Sequence, residues 1–183
     1  SKISKNDRSF GGLSFAASQG IHSLINWKGK PLYKTSFDLV LYSMILQEVR
    51  PDVIIELGSG TGGSALWLAD TARSIGLNTS TFSFDIKKPE IIHPDISFIE
   101  FDLRDLKKGT VLPFDQKFDG KKLIIEDAHV NVGNILEFFD SILTRGDYII
   151  IEDSDSKQNL ISKFLQGKEG RYKVDQFYHD FFG

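Results

Sequence analysis

The chain has 183 residues, no cysteine and a formal net charge of −3, which excludes a disulfide framework, a cysteine-ligated metal and a thiol nucleophile. At 40% hydrophobic and 26% charged, with 16 glycines and 5 prolines, it reads as one globular domain able to bury roughly 70% of its unfolded surface. No apolar run reaches the ~18 residues of a membrane span. The lysines Lys117, Lys121 and Lys122, read as a solvated strand edge, are too few for a duplex nucleic-acid face.

Residues 1 to about 20 are expected to be weakly ordered. Their polar start lacks the apolar core of a signal peptide, so a cytoplasmic location is the expectation. Residues 21–34 read as a loop whose aromatic residues, Trp27 and Tyr33, either anchor the N-terminal segment or line the substrate mouth. Thr35 followed by Asp38 matches a capping box, and Leu39, Val40, Ile45, Leu46 and Val49 continue at helical spacing until Pro51. Residues 1–34 are therefore set apart as an N-terminal segment from a domain spanning 35–183.

Short apolar runs then alternate with helical patterns. Strands are predicted at Val53–Leu57, Thr81–Ile86, Ile96–Phe101, Leu123–Ile125 and Tyr148–Ile151. Helical patterns cover Ser64–Ile75, the stretch Ile135–Leu143 with Gly146 as its stop, and Gln158–Leu165. A last strand is predicted at Tyr172–Phe177. Continuous apolar strands alternating with helices predict an α/β, Rossmann-like three-layer sandwich with a mostly parallel sheet.

The stretch Glu56-Leu57-Gly58-Ser59-Gly60-Thr61-Gly62-Gly63 follows the first of these strands and opens a helix. Glycines there let a backbone approach a ligand closely at the carboxyl edge of the sheet. The Gly58-x-Gly60-x-x-Gly63 spacing by itself also fits a dinucleotide site. Glu56, however, would repel a pyrophosphate, and Asp85 ends the next strand, where a carboxylate takes ribose hydroxyls. A ligand with a ribose, a cationic centre and no pyrophosphate suits this set, and S-adenosylmethionine is such a ligand.

The glycine stretch resembles the first motif of class I S-adenosylmethionine-dependent methyltransferases. Together with Gly29-Lys30-Pro31-Leu32-Tyr33-Lys34, Arg50-Pro51-Asp52 and Gly62-Gly63-Ser64-Ala65-Leu66, it is similar to the cephalosporin hydroxylase / rhamnosyl O-methyltransferase family, from about Gly29 to Asp155. The resemblance implies that Gly58, Ser59, Gly60 and Gly62 line the methionine part of the cofactor, with Glu56 beneath it. It implies that Asp85 holds the ribose and that Asp102 lies near the adenine. Asp102 also fits as a cap for the next turn. Such a core normally finishes with an antiparallel strand pair, for which 183 residues leave little room, so further C-terminal sequence or a second subunit is expected to close the site.

Two acidic pairs end successive strands, Glu126-Asp127 and Glu152-Asp153. Parallel strands would bring them to one edge, where like charges resist joint ionisation unless a cation neutralises them. Oxygen donors suit Mg²⁺ or another hard divalent ion. Resemblance to metal-dependent O-methyltransferases implies Asp127, Glu152 and Asp153 as the ligands. His129, two residues past Asp127, is the candidate general base. Capping of the following helices is the competing reading for these acids. The expected activity is divalent-cation-dependent O-methylation of a hydroxylated small molecule, a sugar or natural product. An adenosylmethionine-binding domain without catalysis and an NAD-dependent oxidoreductase are the rivals.

Overall fold

The computed structural model describes residues 23–112 and 118–181. The segment expected to be weakly ordered (1 to about 20) and Lys117 lie outside the described residues.

A small hairpin, β1 (Asn26–Trp27) and β2 (Lys30–Pro31), replaces the loop expected before residue 35. Helix α1 (Ser36–Val49) starts at the predicted box: Thr35 N–H donates to Asp38 Oδ2 at 2.7 Å, and Asp38 N–H returns to Thr35 Oγ1 at 3.1 Å. Two orphan amides at the helix start are thereby satisfied. The helix stops where Arg50 turns left-handed (φ 49°) ahead of Pro51.

The sheet has five strands, all parallel: β3 (Val53–Leu57), β4 (Ser80–Asp85), β5 (Ile96–Glu100), β6 (Lys122–Glu126) and β7 (Tyr148–Ile151). Their spatial order is β5-β4-β3-β6-β7. The chain runs outward from β3 through β4 to β5, then returns to the other side of β3. The crevice between the ends of β3 and β6 is therefore a topological switch point, where ligands bind in such sheets. Register places Leu57 beside both Phe84 and Glu126, so the strands end at one level.

Helix α2 (Gly63–Ser74) and α1 cover one face, where Tyr42, Leu46, Trp67 and Leu68 pack on Ile54, Leu123 and Ile125. Helix α3 (Val132–Asp140) covers the other with Ile135, Phe138 and Phe139 against Val53, Ile55, Leu57 and Phe84. Helix α4 (Gln158–Leu165) packs onto α3 through Phe164. Trp67 of α2 is part of this core.

Three further expectations are corrected. Tyr172–Phe177 is not a strand: Asp175 accepts the amides of Phe177 and Tyr178 and starts a short helix, α5 (Gln176–His179), while Tyr172 packs on Phe164 and donates to Asp140. Gly146 is not the stop of α3, which ends at Asp140 with Ser141 Oγ bonded to the Phe138 carbonyl; Gly146 (φ 98°) serves the turn into β7. Lys122 is not on a solvated edge. It sits on an interior strand, 6% exposed, with Nζ 3.2 Å from Asp147 Oδ2 and 2.9 Å from the Gly120 carbonyl.

Among the described residues, no helix is long and apolar enough to cross a membrane.

Candidate active site

The carboxyl ends of β3, β4 and β6 open into a cavity of about 480 Å³, and Gly58, Ser59, Gly60, Asp85, Asp102 and Asp127 all line it. Gly58 packs against the end of β6. Its φ is 108°, and an added Cβ would stand 2.8 Å from the Asp127 carbonyl oxygen. The glycine loop thus lies directly on the chain leaving β6. Gly60 N–H donates to Asp85 Oδ2 at 2.8 Å, tying the loop to the end of β4. Gly62 sits apart from the lining: it is the left-handed N-cap of α2 and faces Ile91 and Pro89.

Glu56 is fully buried beneath the loop. Burial raises its carboxyl above the usual glutamate value, partly offset by hydrogen bonds from Ser64 and Ser83. Ser83 also meets Ser59, Oγ to Oγ at 2.6 Å, so the Ser59 hydroxyl is directed inward. Asp102 is held by Arg104, whose side chain and amide both donate to it and keep its carboxyl below the usual range. It also caps the 3₁₀ turn Leu103–Asp105, the second role foreseen for it.

The acidic edge is organised more finely than strand ends alone suggest. Glu126 is fully buried and paired with Lys157 at 2.7 Å. Its other oxygen accepts the His129 amide at 3.1 Å. Asp127, His129 and Asp153 converge, with one ligand atom from each within 4.8 Å of the others. His129 Nε2 lies 3.3 Å from Asp127 Oδ1 and 3.4 Å from Asp153 Oδ2. Neither Asp127 nor Asp153 caps a helix: Asp153 heads the turn Ser154–Lys157 without a side-chain bond to it. His129 and Asp153 adopt left-handed φ of 56° and 47°. For residues other than glycine this conformation is uncommon and costs energy, and it concentrates where a site demands it.

Glu152 is turned away from this triad. Its carboxylate accepts from Lys34 Nζ at 2.7 Å and from the Tyr42 hydroxyl. Burial and the nearby Asp127 charge outweigh the help from Lys34 and Tyr42, so the Glu152 carboxyl is pushed up to about 7. Lys34 also donates to Asp127 Oδ2. Burial would lower the Lys34 pKa, but Glu152 and Asp127 hold the ammonium well above its ordinary value. Burial and Glu152 likewise raise Tyr42.

The hairpin forms one wall. The Thr61 hydroxyl donates to the Pro31 carbonyl at 2.7 Å. On α2, Asp70 accepts Trp27 Nε1 and Lys28 Nζ, each at 2.7 Å. Burial works against the Asp70 charge, but these donors prevail and lower its pKa.

Lys34, Tyr42 and Lys157 have no counterpart among the residues predicted from sequence. Lys34 precedes a cap and Tyr42 sits in a helical pattern, and neither spacing signals a partner about a hundred residues away.

A family model described as rhamnosyl O-methyltransferase/CmcI matches residues 19–178. A rhamnosyl O-methyltransferase of Mycobacterium leprae is 32% identical over 145 residues, covering 70% of this chain and 60% of that protein. One from Mycobacterium tuberculosis is 26% identical over 166 residues, covering 85% and 66%. Among solved structures, the chain is similar to CmcI in an Mg–SAM form, with a TM-score of 0.68 at 27% identity over 84% of this chain and 70% of that one. The SAH form of CmcI gives a TM-score of 0.61 at 28% identity over 74% and 70%. The chain spans 60–66% of the length of these curated relatives. It belongs to the rhamnosyl O-methyltransferase/CmcI family.

Proposed function

We propose that this family member is an S-adenosylmethionine-dependent O-methyltransferase that uses a divalent cation, Mg²⁺ foremost, to methylate a hydroxylated small molecule such as a sugar. The observation that carries this is the meeting of two sets of residues: the glycine loop with Glu56 and Asp85, and the triad Asp127, His129 and Asp153, joined where Gly58 touches the Asp127 backbone.

S-adenosylmethionine supplies an electrophilic methyl group on a sulfonium. The backbone at Gly58 and Gly60, which lines the cavity, would admit its amino-acid part, and Asp85 would take the ribose hydroxyls. Glu56, sealed below, gives this end of the cavity a negative character that favours a cationic ligand and opposes a pyrophosphate. Asp102 and Leu103 line the part of the cavity assigned to the adenine.

The carboxylates of Asp127 and Asp153 are the oxygen donors a hard divalent ion takes, which leaves the His129 imidazole to act as the base. Asp127 and Asp153 would hold it, with Glu152 next to them on the same edge. When bound, the ion supplies a Lewis acid that acidifies and orients a substrate hydroxyl. The His129 imidazole, half-exposed beside both aspartates, accepts the hydroxyl proton. The acceptor oxygen then bonds to the methyl carbon as the carbon–sulfur bond breaks, its electron pair staying on sulfur. Alignment of the two reactants in one cavity is the protein's main contribution.

Calorimetry with S-adenosylhomocysteine and with NAD, followed by methyl transfer to a panel of glycosides with and without a chelator, tests this reading. Binding of adenosylhomocysteine alone and chelator-sensitive transfer are expected. NAD binding in its place would refute it, and transfer that survives exhaustive chelation would remove the cation.

A further inference from the structure

We infer that Lys34 is a built-in counter-ion for the acidic edge, an ammonium held between Asp127 and Glu152 beside the side open to a cation. Its Nζ bonds Asp127 Oδ2 and stands 2.7 Å from Glu152 Oε2. Its side chain is only 4% exposed. It therefore cannot be a surface lysine that meets two acids by chance, since burying an ammonium is costly unless it is paired.

The way it arrives supports the role. Lys34 lies between two fixed points: Pro31, whose carbonyl holds Thr61 of the glycine loop, and Thr35, the N-cap of α1. Eight residues on, Tyr42 of the same helix donates to the second oxygen of Glu152. One stretch of chain thus supplies both partners of Glu152 and one of Asp127. The remaining oxygen of Asp127 faces His129 and Asp153. Lys34 accordingly divides the edge into a side satisfied by the protein and a side open to a cation. It also neutralises two carboxylates that would otherwise repel each other across the end of the sheet. Lys34 acts here through Asp127 and Glu152, as a positioning residue.

Two consequences follow. Without a metal, Lys34 keeps the edge folded. With a metal, its charge opposes binding, because an ammonium adjacent to a divalent ion repels it strongly even at a partly solvated site. The second consequence rests on the cation-dependent reading above; the first does not.

The test uses the full chain as wild type, Lys34→Met, Glu152→Gln and the double variant. In EDTA, Lys34→Met should lower Tm by roughly 10 °C, as expected when a buried charge loses its partner. Adding Glu152→Gln should restore at least half of that loss. Calorimetric titration with MgCl2 and MnCl2 should show at least about tenfold tighter binding to Lys34→Met than to wild type. A double variant no more stable than Lys34→Met overturns the counter-ion role, since packing loss alone is not rescued by removing a carboxylate. If Lys34→Met does not fold, recovery of folded protein in the double variant supports the proposal, and its failure there refutes it. Rescue by Glu152→Gln without Mg²⁺ or Mn²⁺ binding to any variant supports the counter-ion role and removes the metal from the proposed function.

Discussion

Gly58 and Gly60 hold alternate positions of one motif, and a pattern match treats them alike, yet alanine at each should behave very differently. Both have positive φ, 108° and 48°, so each substitution carries the left-handed penalty of about 1–2 kcal/mol. At Gly60 that is all, because an added Cβ meets nothing within 4 Å. At Gly58 the Cβ would lie 2.8 Å from the Asp127 carbonyl oxygen and 2.9 Å from its carbon. These are backbone atoms of the chain leaving β6 and cannot rotate away, so the loop or the strand end must move, at a further ~1–3 kcal/mol. With a urea m-value of about 2 kcal/mol/M, the Gly58→Ala midpoint should fall ~0.5–1.5 M below that of Gly60→Ala. The displaced group is Asp127, so Gly58→Ala should also weaken Mg²⁺ binding measured by calorimetry, while Gly60→Ala leaves it near wild type. Midpoints within about 0.3 M of each other would refute the claim that this glycine exists for close approach to β6.

Asp153→Gly relieves a left-handed residue and should change stability by less than ~1 kcal/mol, while lowering cation affinity and methyl transfer at least tenfold; a stability loss with intact cation binding would return Asp153 to a purely structural role. Lys157→Met strands the fully buried Glu126 and should cost ~3–5 kcal/mol in chemical unfolding, most of it recovered by adding Glu126→Gln; no recovery would mean that packing and not charge was lost. In EDTA the folded Glu152, with its pKa raised from 4.5 to about 7, retains a proton that the unfolded chain has released. Stability should therefore fall as pH rises through that window, and Glu152→Gln should flatten the decline. Equal pH slopes of unfolding free energy in the two proteins would show that Glu152 titrates normally.

Much of the scaffold was legible because it depends on local chemistry. The Thr35–Asp38 box, the apolar run Val53–Leu57 and the glycines at its end are each readable within a few residues, since a cap, a doubly buried strand and a tight turn have composition requirements of their own. The glycine loop and Asp85 were expected at one cavity because parallel strands present their carboxyl ends on one edge, while the resemblance added Ser59, which lines that cavity, and Gly62, which does not. Misreadings arose where aromatic or basic residues had two homes. Tyr172–Phe177 has strand-like composition, but Asp175 caps a helical turn there. Lys122 carries a charge that composition assigns to solvent, but Asp147 meets it inside the sheet.

The order of the acidic edge was decided by tertiary structure. Sequence by itself put Glu126, Asp127, Glu152 and Asp153 at the ends of two successive parallel strands; that these strands are neighbours, so that the four acids gather at one edge, was decided by the fold. The sequence carried no sign of how four carboxylates would share the space. Lys157 claims Glu126, Lys34 and Tyr42 claim Glu152, and His129 stands between Asp127 and Asp153. These partners come from different elements, up to 118 residues apart in the case of Lys34 and Glu152. Their pairing is enforced by burial, which forbids an unpaired charge but does not say, until the chain is folded, which neighbour will supply the opposite one.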